Sequence, residues 1–525
     1  MFCENCGAEL LPGAKFCEQC GEIVAHYANL KEKSPFAAIL YNQVFVDSSW
    51  YSKWKDLVLS EREKGNRVGI ILTNTRECHS DSYKEIFEKY IAHKYENGVC
   101  YILLDIYAFD EVYGHINPED IDQIISLIKD IYNVAVPDYL MIVGDARVIP
   151  SVVWENMAQD GDRYVISDLP YLTFNTQSPW DGIMLKLEGV PSVGRIPASA
   201  KNNFVEALRY FHNQMELSTE PVKTNGFGLT TRSWQNLSVG MFTPISEKIY
   251  FSPELTIEDF NVRGISQINH NITPNLLYFN LHGSSMTDFW YGESVSHQTD
   301  ATFSRNSLPN ANGYIIGVEA CYGAKPTINE ENKDSILLAA LQNGCSAFVG
   351  SCNIAYGSSS YQHASCADII IPHFLYHVNE GYSYGDSFVH GLKKLDKMDD
   401  WDDTSIKTLA QFALYGDPST SFKNNQQKLD NKTVSERKAF SINMPNIRRA
   451  VSLSMTSVTA KIETLMSKYI SEHHNKFIGC TPSHYKIFGS GIYQAVYIKK
   501  SSNTMDVLKL YYNDSGHILK EYISK

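Results

Sequence analysis

Two groups of residues have types and spacings that point to chemistry. Cys3 and Cys6, then Cys17 and Cys20, form two CxxC knuckles, each followed directly by glycine, Gly7 and Gly21. A CxxC turn aims two thiolates at one ion, and two such knuckles supply the four soft ligands of a closed tetrahedral zinc site. The segment is too short to build a core, so bound metal must supply most of its folding energy. With no open coordination position, that zinc is structural. Two disulfides or a redox pair are the competing assignment, and the paired knuckles with both glycines favour zinc. The second group is a histidine and a cysteine that close apolar runs. LLYFNLHGSS delivers His282 followed by Gly283, and GYIIGVEACYGAK delivers Glu319, Cys321 and Gly323. An imidazole near a sulfur favours the thiolate, the reactive nucleophile. The small residues beside each leave backbone amides, foremost those of Gly283 and Cys321, free to form an oxyanion hole. The competing assignment is a loop histidine and a buried, inert thiol.

The elements that must position this pair read as alternating strands and helices. RVGIILTN (67–74), VCYILLDIY (99–107) and DYLMIVGD (138–145) are short apolar runs suited to buried parallel strands. Helical patterns DSYKEIFEKYIAHKY (81–95) and PEDIDQIISLIKDIY (118–132) lie between them. The rhythm resumes with strands FGLTT (227–231), LLYFNLHG (276–283), GYIIGVEACYG (313–323) and SAFVGSC (346–352), and with helices SILLAALQNG (335–344) and ADIIIPHFLYHVNEG (367–381). This order predicts an α/β fold with parallel sheets and right-handed crossovers. In such a sheet ligands bind beyond the carboxyl ends of the strands, where His282 and Cys321 fall.

The predicted organisation is a metal module at 1–22, a linker at 23–40, a first α/β subdomain at 41–220 and a second at 221–423 that carries the His/Cys pair. A polar linker follows at 424–446, then a small α+β domain at 447–525. The strip DKMDDWDD (396–403) holds five aspartates. It lacks the ordered ligand and glycine spacing of an EF-hand loop, so a solvated loop is favoured over a calcium site.

Composition narrows the function classes. The chain has 525 residues, 43% hydrophobic and 20% charged, with a formal net charge of −13. That charge repels a phosphate backbone and argues against broad nucleic-acid binding. No apolar run approaches the roughly 18 residues of a membrane span. MFCENCGAEL lacks the basic and apolar stretches of a secretory signal. Eleven cysteines, seven of them scattered singly, do not form a disulfide framework. The expected setting is cytoplasmic.

Two resemblances add to this reading. The first twenty-one residues resemble the short zinc ribbons that begin many otherwise unrelated bacterial and archaeal proteins. LYFNLHGS, GVEACYGA, YLMIVGDARVIPS, SDLPY, VGRIPAS and LYGDPSTSF occur in the order seen in the gingipain family of cysteine peptidases, of the caspase-like clan, over roughly residues 65–423. The resemblance implies that Cys321 is the nucleophile and His282 the general base that later protonates the leaving amine. It implies an acidic partner for the histidine, for which Asp168 of SDLPY is the candidate. Family members commonly carry Asp or Glu five residues before the arginine of the VGR segment, where this chain has Val190. Either the third member lies elsewhere or the enzyme works as a dyad. The family also favours basic side chains before the cut bond. Such a pocket needs an acid at its base, with Asp288 and Asp181 as candidates.

The leading expectation is therefore a cytoplasmic cysteine endopeptidase acting on protein or peptide substrates and gated by a partner, a ligand or cleavage. A regulatory protein would dock through the ribbon or the C-terminal domain, which could also cover the active site. The alternative is a catalytically silent, peptidase-like scaffold that works through its ribbon.

Overall fold

A computed structural model describes residues 44–181, 187, 189–217, 222–326, 335–358, 363–398, 402–422, 453–487, 490–501 and 504–525. The four knuckle cysteines and both predicted linkers lie outside these residues.

The apolar runs form strands β1 (Arg67–Thr73), β2 (Val99–Asp105) and β3 (Tyr139–Val143), buried over nearly their whole length. Strands β4 (Val152–Glu155) and β5 (Tyr164–Ser167) pair as an antiparallel hairpin. The chain then returns as β6 (Ser192–Ile196), β7 (Gly226–Thr231), β8 (Ile249–Ser252) and β9 (Leu276–Asn280). A second hairpin, β10 (Phe289–Glu293) and β11 (Thr299–Ser304), precedes β12 (Tyr314–Val318), β13 (Cys345–Ser351), the two-residue β14 (Tyr356–Gly357) and β15 (Phe412–Gly416).

Ten of these strands make one sheet in the order β2-β1-β3-β6-β15-β13-β12-β9-β7-β8. Each half is parallel, and the halves meet where β13 runs antiparallel to β15. The two parallel halves of the sheet are thus joined edge to edge. β15, late in the chain, supplies the joint by pairing with β6.

The flanking helices follow their apolar spacing. Helix Ser82–Glu96 buries Tyr83, Ile86, Phe87, Tyr90 and Ile91, positions that fall on one face at 3.6 residues per turn. Helix Ile121–Val134 starts at Asp120, whose carboxylate accepts from the amides of Asp122 and Gln123, satisfying two donors that the helix itself leaves open.

The C-terminal domain contains strands β16 (Leu453–Met455), β17 (Ser483–Ile487), β18 (Ile492–Lys500), β19 (Met505–Asn513) and β20 (Ile518–Ser524), with helix Ala460–His473. Met466, Ile470, Phe477, Leu508, Leu510 and Tyr512 are part of its separate small core. Its antiparallel sheet continues into the α/β body, because β20 pairs with β14.

The end of the aspartate strip is a docking point for this domain rather than a solvated loop. Lys520 Nζ and Tyr522 Oη reach Asp402 Oδ2 at 3.0 and 2.6 Å. Buried Asp403 receives Gln494 Nε2 at 3.1 Å and Tyr511 Oη, with Lys509 Nζ 3.5 Å away. Among the described residues no group of three or more His, Cys, Asp or Glu side chains is arranged to hold a metal ion. Among them, too, no helix is long and apolar enough to cross a membrane.

Candidate active site

The register of the sheet brings the histidine and cysteine together. β9 and β12 are parallel neighbours, and Phe279 pairs with Val318. His282 and Cys321 each lie three residues beyond these paired positions, so the two turns leave the sheet side by side. Gly283 packs directly on the Cys321 backbone: a Cβ there would overlap the Cys321 carbonyl. Only glycine lets the turns approach this closely. Both side chains are buried, His282 at 2% and Cys321 at 3% exposure.

The histidine is oriented from the β10–β11 hairpin. His282 and Tyr291 exchange backbone hydrogen bonds of 2.9 and 2.8 Å, pinning the turn to β10. Glu293, two residues on, shares a strand face with Tyr291, and its Oε2 accepts from His282 Nε2 at 2.9 Å. The other oxygen, Oε1, accepts from His297 Nδ1 at 2.9 Å and Lys476 Nζ at 2.7 Å. Burial alone would raise the Glu293 carboxyl, but His282, His297 and Lys476 together hold it far below the usual carboxylate range. Trp234, in the turn after β7, lays its ring 4.5 Å from the His282 ring.

Asp168 lies elsewhere. Its two oxygens take Arg195 Nε and Nη2 at 2.7 Å each, and Ser151 Oγ donates to Oδ1 at 2.7 Å. Arg195 Nη1 also donates to the carbonyls of Gly144 and Ile149. The GDARVIP, SDLPY and VGRIP segments are therefore tied into one buried ion-paired knot, and the carboxylate on His282 is that of Glu293. Removing one member of a buried pair strands the other's charge. Asp168→Asn should lower the unfolding free energy by about 3 kcal/mol in urea titrations, with activity per folded molecule retained.

Cys321 Sγ points to the Ala355 carbonyl at 3.5 Å, and among the described residues no hydrogen bond joins it to His282. Burial pushes its thiol up to about 12. Only the thiolate reacts, so iodoacetamide labelling of Cys321 should climb about tenfold per unit from roughly pH 7 to 10 without levelling. Peptide mass mapping separates it from the other thiols, and a plateau near the ordinary thiol range would mean the sulfur is not held in this setting. Cys345, Cys352 and Cys366 are buried, with Cys345 Sγ reaching the Ala347 carbonyl at 3.2 Å and Cys352 Sγ standing 3.2 Å from Tyr415 Oη.

Beside Cys321 lies an acidic pocket that sequence reasoning did not locate. Asp368, near the start of helix Ala367–Asn379, and Glu319 are both fully buried. Asp368 Oδ2 accepts from the amides of Ser358 at 2.6 Å and Ser365 at 3.3 Å. Glu319 Oε1 accepts from Tyr278 Oη at 2.8 Å. Burial, with Asp368 beside it, pushes the Glu319 carboxyl well above the usual range. Asp288 instead lies 3.9 Å from Arg305, and Asp181 sits in the short turn Pro179–Asp181. A lone acid opening the apolar helix ADIIIPHFLYHVN was the available signal, because buried acids almost always have partners.

His282 and Cys321 thus stand at the carboxyl ends of neighbouring strands in a helix-flanked sheet, the place where such folds bind their ligands. The model of peptidase family C25 matches residues 67–423, more than half of the chain, and the chain belongs to this family, that of the gingipains. A zinc-ribbon domain matches residues 2–24. No curated protein sequence matches. Among solved structures, the Arg-specific cysteine proteinase gingipain R is similar at 12% identity and a TM-score of 0.46, covering 87% of this chain and 97% of its own. A structure described as a protease is similar at 12% identity and a TM-score of 0.42, over 87% and 91%. A separase–securin complex of Saccharomyces cerevisiae follows at 12% identity and a TM-score of 0.30, over 72% and 23%.

Proposed function

We propose that this chain is a cysteine endopeptidase. Cys321 Sγ attacks the scissile carbonyl while His282 takes up the thiol proton. The oxyanion gathers hydrogen bonds from the Cys321 and Gly283 amides. Collapse of the tetrahedral species expels the amine, which receives its proton from His282 and leaves a thioester on Cys321. Water, deprotonated by His282, then hydrolyses the thioester and restores the thiol. Glu293 positions the imidazole and balances its charge. The acidic pocket of Asp368 and Glu319 favours a basic side chain before the cut bond.

The observation that carries this reading is the packing of Gly283 on the Cys321 backbone, which sets the histidine and cysteine turns against each other at the strand ends. To test it, full-length protein and its Cys321→Ala form, each with and without the further change Lys525→Ala, are incubated with a mixed peptide library, with and without calcium, and the products sequenced. Cuts after lysine or arginine made only by forms that keep Cys321 support the reading. Absence of any difference overturns it in favour of a scaffold acting through the ribbon.

Cys3, Cys6, Cys17 and Cys20 supply the donor set of a closed zinc site, and the ion would brace the ribbon without entering the reaction. A strong chelator should release about one zinc per chain and leave peptide hydrolysis unchanged. The ribbon is then a surface for a regulatory protein. The free thiols suit the reducing cytoplasm, where Cys321 stays available.

A further inference from the structure

Strand β20 leaves its own domain and enters the active site. It adds antiparallel to β14, with Tyr356 opposite Ser524 and Gly357 opposite Ile523. Lys525 follows, and its contacts are those of a bound chain. Its N–H donates to the Ala355 carbonyl at 3.0 Å, and its own carbonyl accepts from the Cys321 N–H at 3.0 Å. The side chain runs into the acidic pocket. Lys525 Nζ stands 3.0 Å from Asp368 Oδ1, 4.0 Å from Glu319 Oε2 and 4.2 Å from the Trp234 ring centre, and donates to the Ser358 carbonyl at 3.2 Å. Gly357 is the wall of this pocket, since a Cβ there would overlap both Lys525 Cε and the Asp368 carboxylate. The residue is 1% exposed.

Strand addition supplies affinity through the backbone, and a side-chain pocket supplies selectivity. Both are present here, and the accepting carbonyl sits on the amide of the cysteine itself. A second contact reaches the other half of the site. Lys476 Nζ bridges Glu293 Oε1 at 2.7 Å and Asp506 Oδ1 at 2.8 Å, and Asp506 Oδ1 lies 3.9 Å from His282 Nδ1. The C-terminal domain thus covers the nucleophile, the basic-residue pocket and the free side of the imidazole together.

We propose that residues 518–525 occupy the substrate groove as a substrate does, with Lys525 in the place of the residue before the cut bond. The C-terminal domain is thereby an inhibitor built into the chain. This rests on the cysteine-peptidase reading, and two separate readouts keep the two apart. In this state a substrate must displace the strand, so the resting protein is slow and its thiol shielded.

The test compares full-length protein with Lys525→Ala and with Lys525→Met, which keeps the stem and removes the charge. One readout is iodoacetamide labelling of Cys321 near neutral pH, which needs no substrate. The other is hydrolysis of a short fluorogenic peptide amide ending in lysine. Loss of one charge-assisted contact should raise both rates about tenfold or more, with thermal melts showing both variants folded. Faster labelling without hydrolysis in any form supports the docking and overturns the peptidase reading. Hydrolysis by the parent at the same rate as by both folded variants, with labelling unchanged, overturns the docking and leaves the peptidase reading standing. Unchanged labelling with no hydrolysis in any form overturns both.

Discussion

Replacing His282 with alanine should lower kcat/KM for peptide hydrolysis by about 1,000-fold or more, the range expected when a general base is lost. Cys321→Ala should fall at least as far, and the double variant little further, because the two groups act as one unit and their losses do not add. A histidine that merely held its loop would give a different result. Its pinning to Tyr291 is through the backbone, which alanine retains, so the turn survives while the proton acceptor is gone. Glu293→Gln then separates positioning from chemistry. The amide still fits behind the imidazole but carries no charge to balance it. The expected result is a fall in kcat of about 10- to 100-fold with little change in KM, partly restored by Glu293→Asp. A matched loss in KM would place Glu293 in substrate binding instead. Each variant is assayed in the Lys525→Ala background, so that release of the C-terminal strand is the same throughout.

How much of this was legible in the sequence depended on whether a residue's neighbours in space were also its neighbours in the chain. The strands that precede His282 and Cys321, LLYFN and YIIGV, are short and largely apolar, and such runs announce themselves. β6 and β15 are just as buried, but Gly194 and Arg195 interrupt the apolar pattern of β6, and β15 follows directly on helix Asp403–Gln411 with no turn residue between them to mark a new element. The joint between the two halves of the sheet went unseen with them. Glu293 was hidden differently. The aromatic run Phe289, Trp290, Tyr291 followed by TDATFS carries strand propensity on both sides of a turn. That signal for a hairpin went unused, and with it the carboxylate two residues beyond Tyr291. Asp402, Asp403 and Lys525 were beyond sequence reading for a simpler reason. A charged residue is read as solvated until a partner is known, and theirs lie about a hundred or more residues away.

The same pocket should produce opposite effects when its acid is neutralised. Asp368→Asn keeps an oxygen for the Ser358 and Ser365 amides but turns an uncharged group toward the incoming ammonium. Breaking one partner of a buried, hydrogen-bonded charge pair costs about 2–5 kcal/mol. On that scale kcat/KM for lysyl peptides should drop about 100- to 1,000-fold, with peptides bearing a neutral residue at that position far less affected. Lys525 depends on the same carboxylate, so the built-in strand should loosen at once. Iodoacetamide labelling of Cys321 should rise toward the rate of the Lys525→Ala form even as lysyl hydrolysis collapses. General damage to the fold cannot mimic this, because it would lower hydrolysis of all peptides alike and leave no difference between lysyl and neutral ones. Equal losses for both peptide classes would remove Asp368 from the pocket that selects the side chain. Undiminished shielding of Cys321 would mean that β20 is held by its backbone pairing alone.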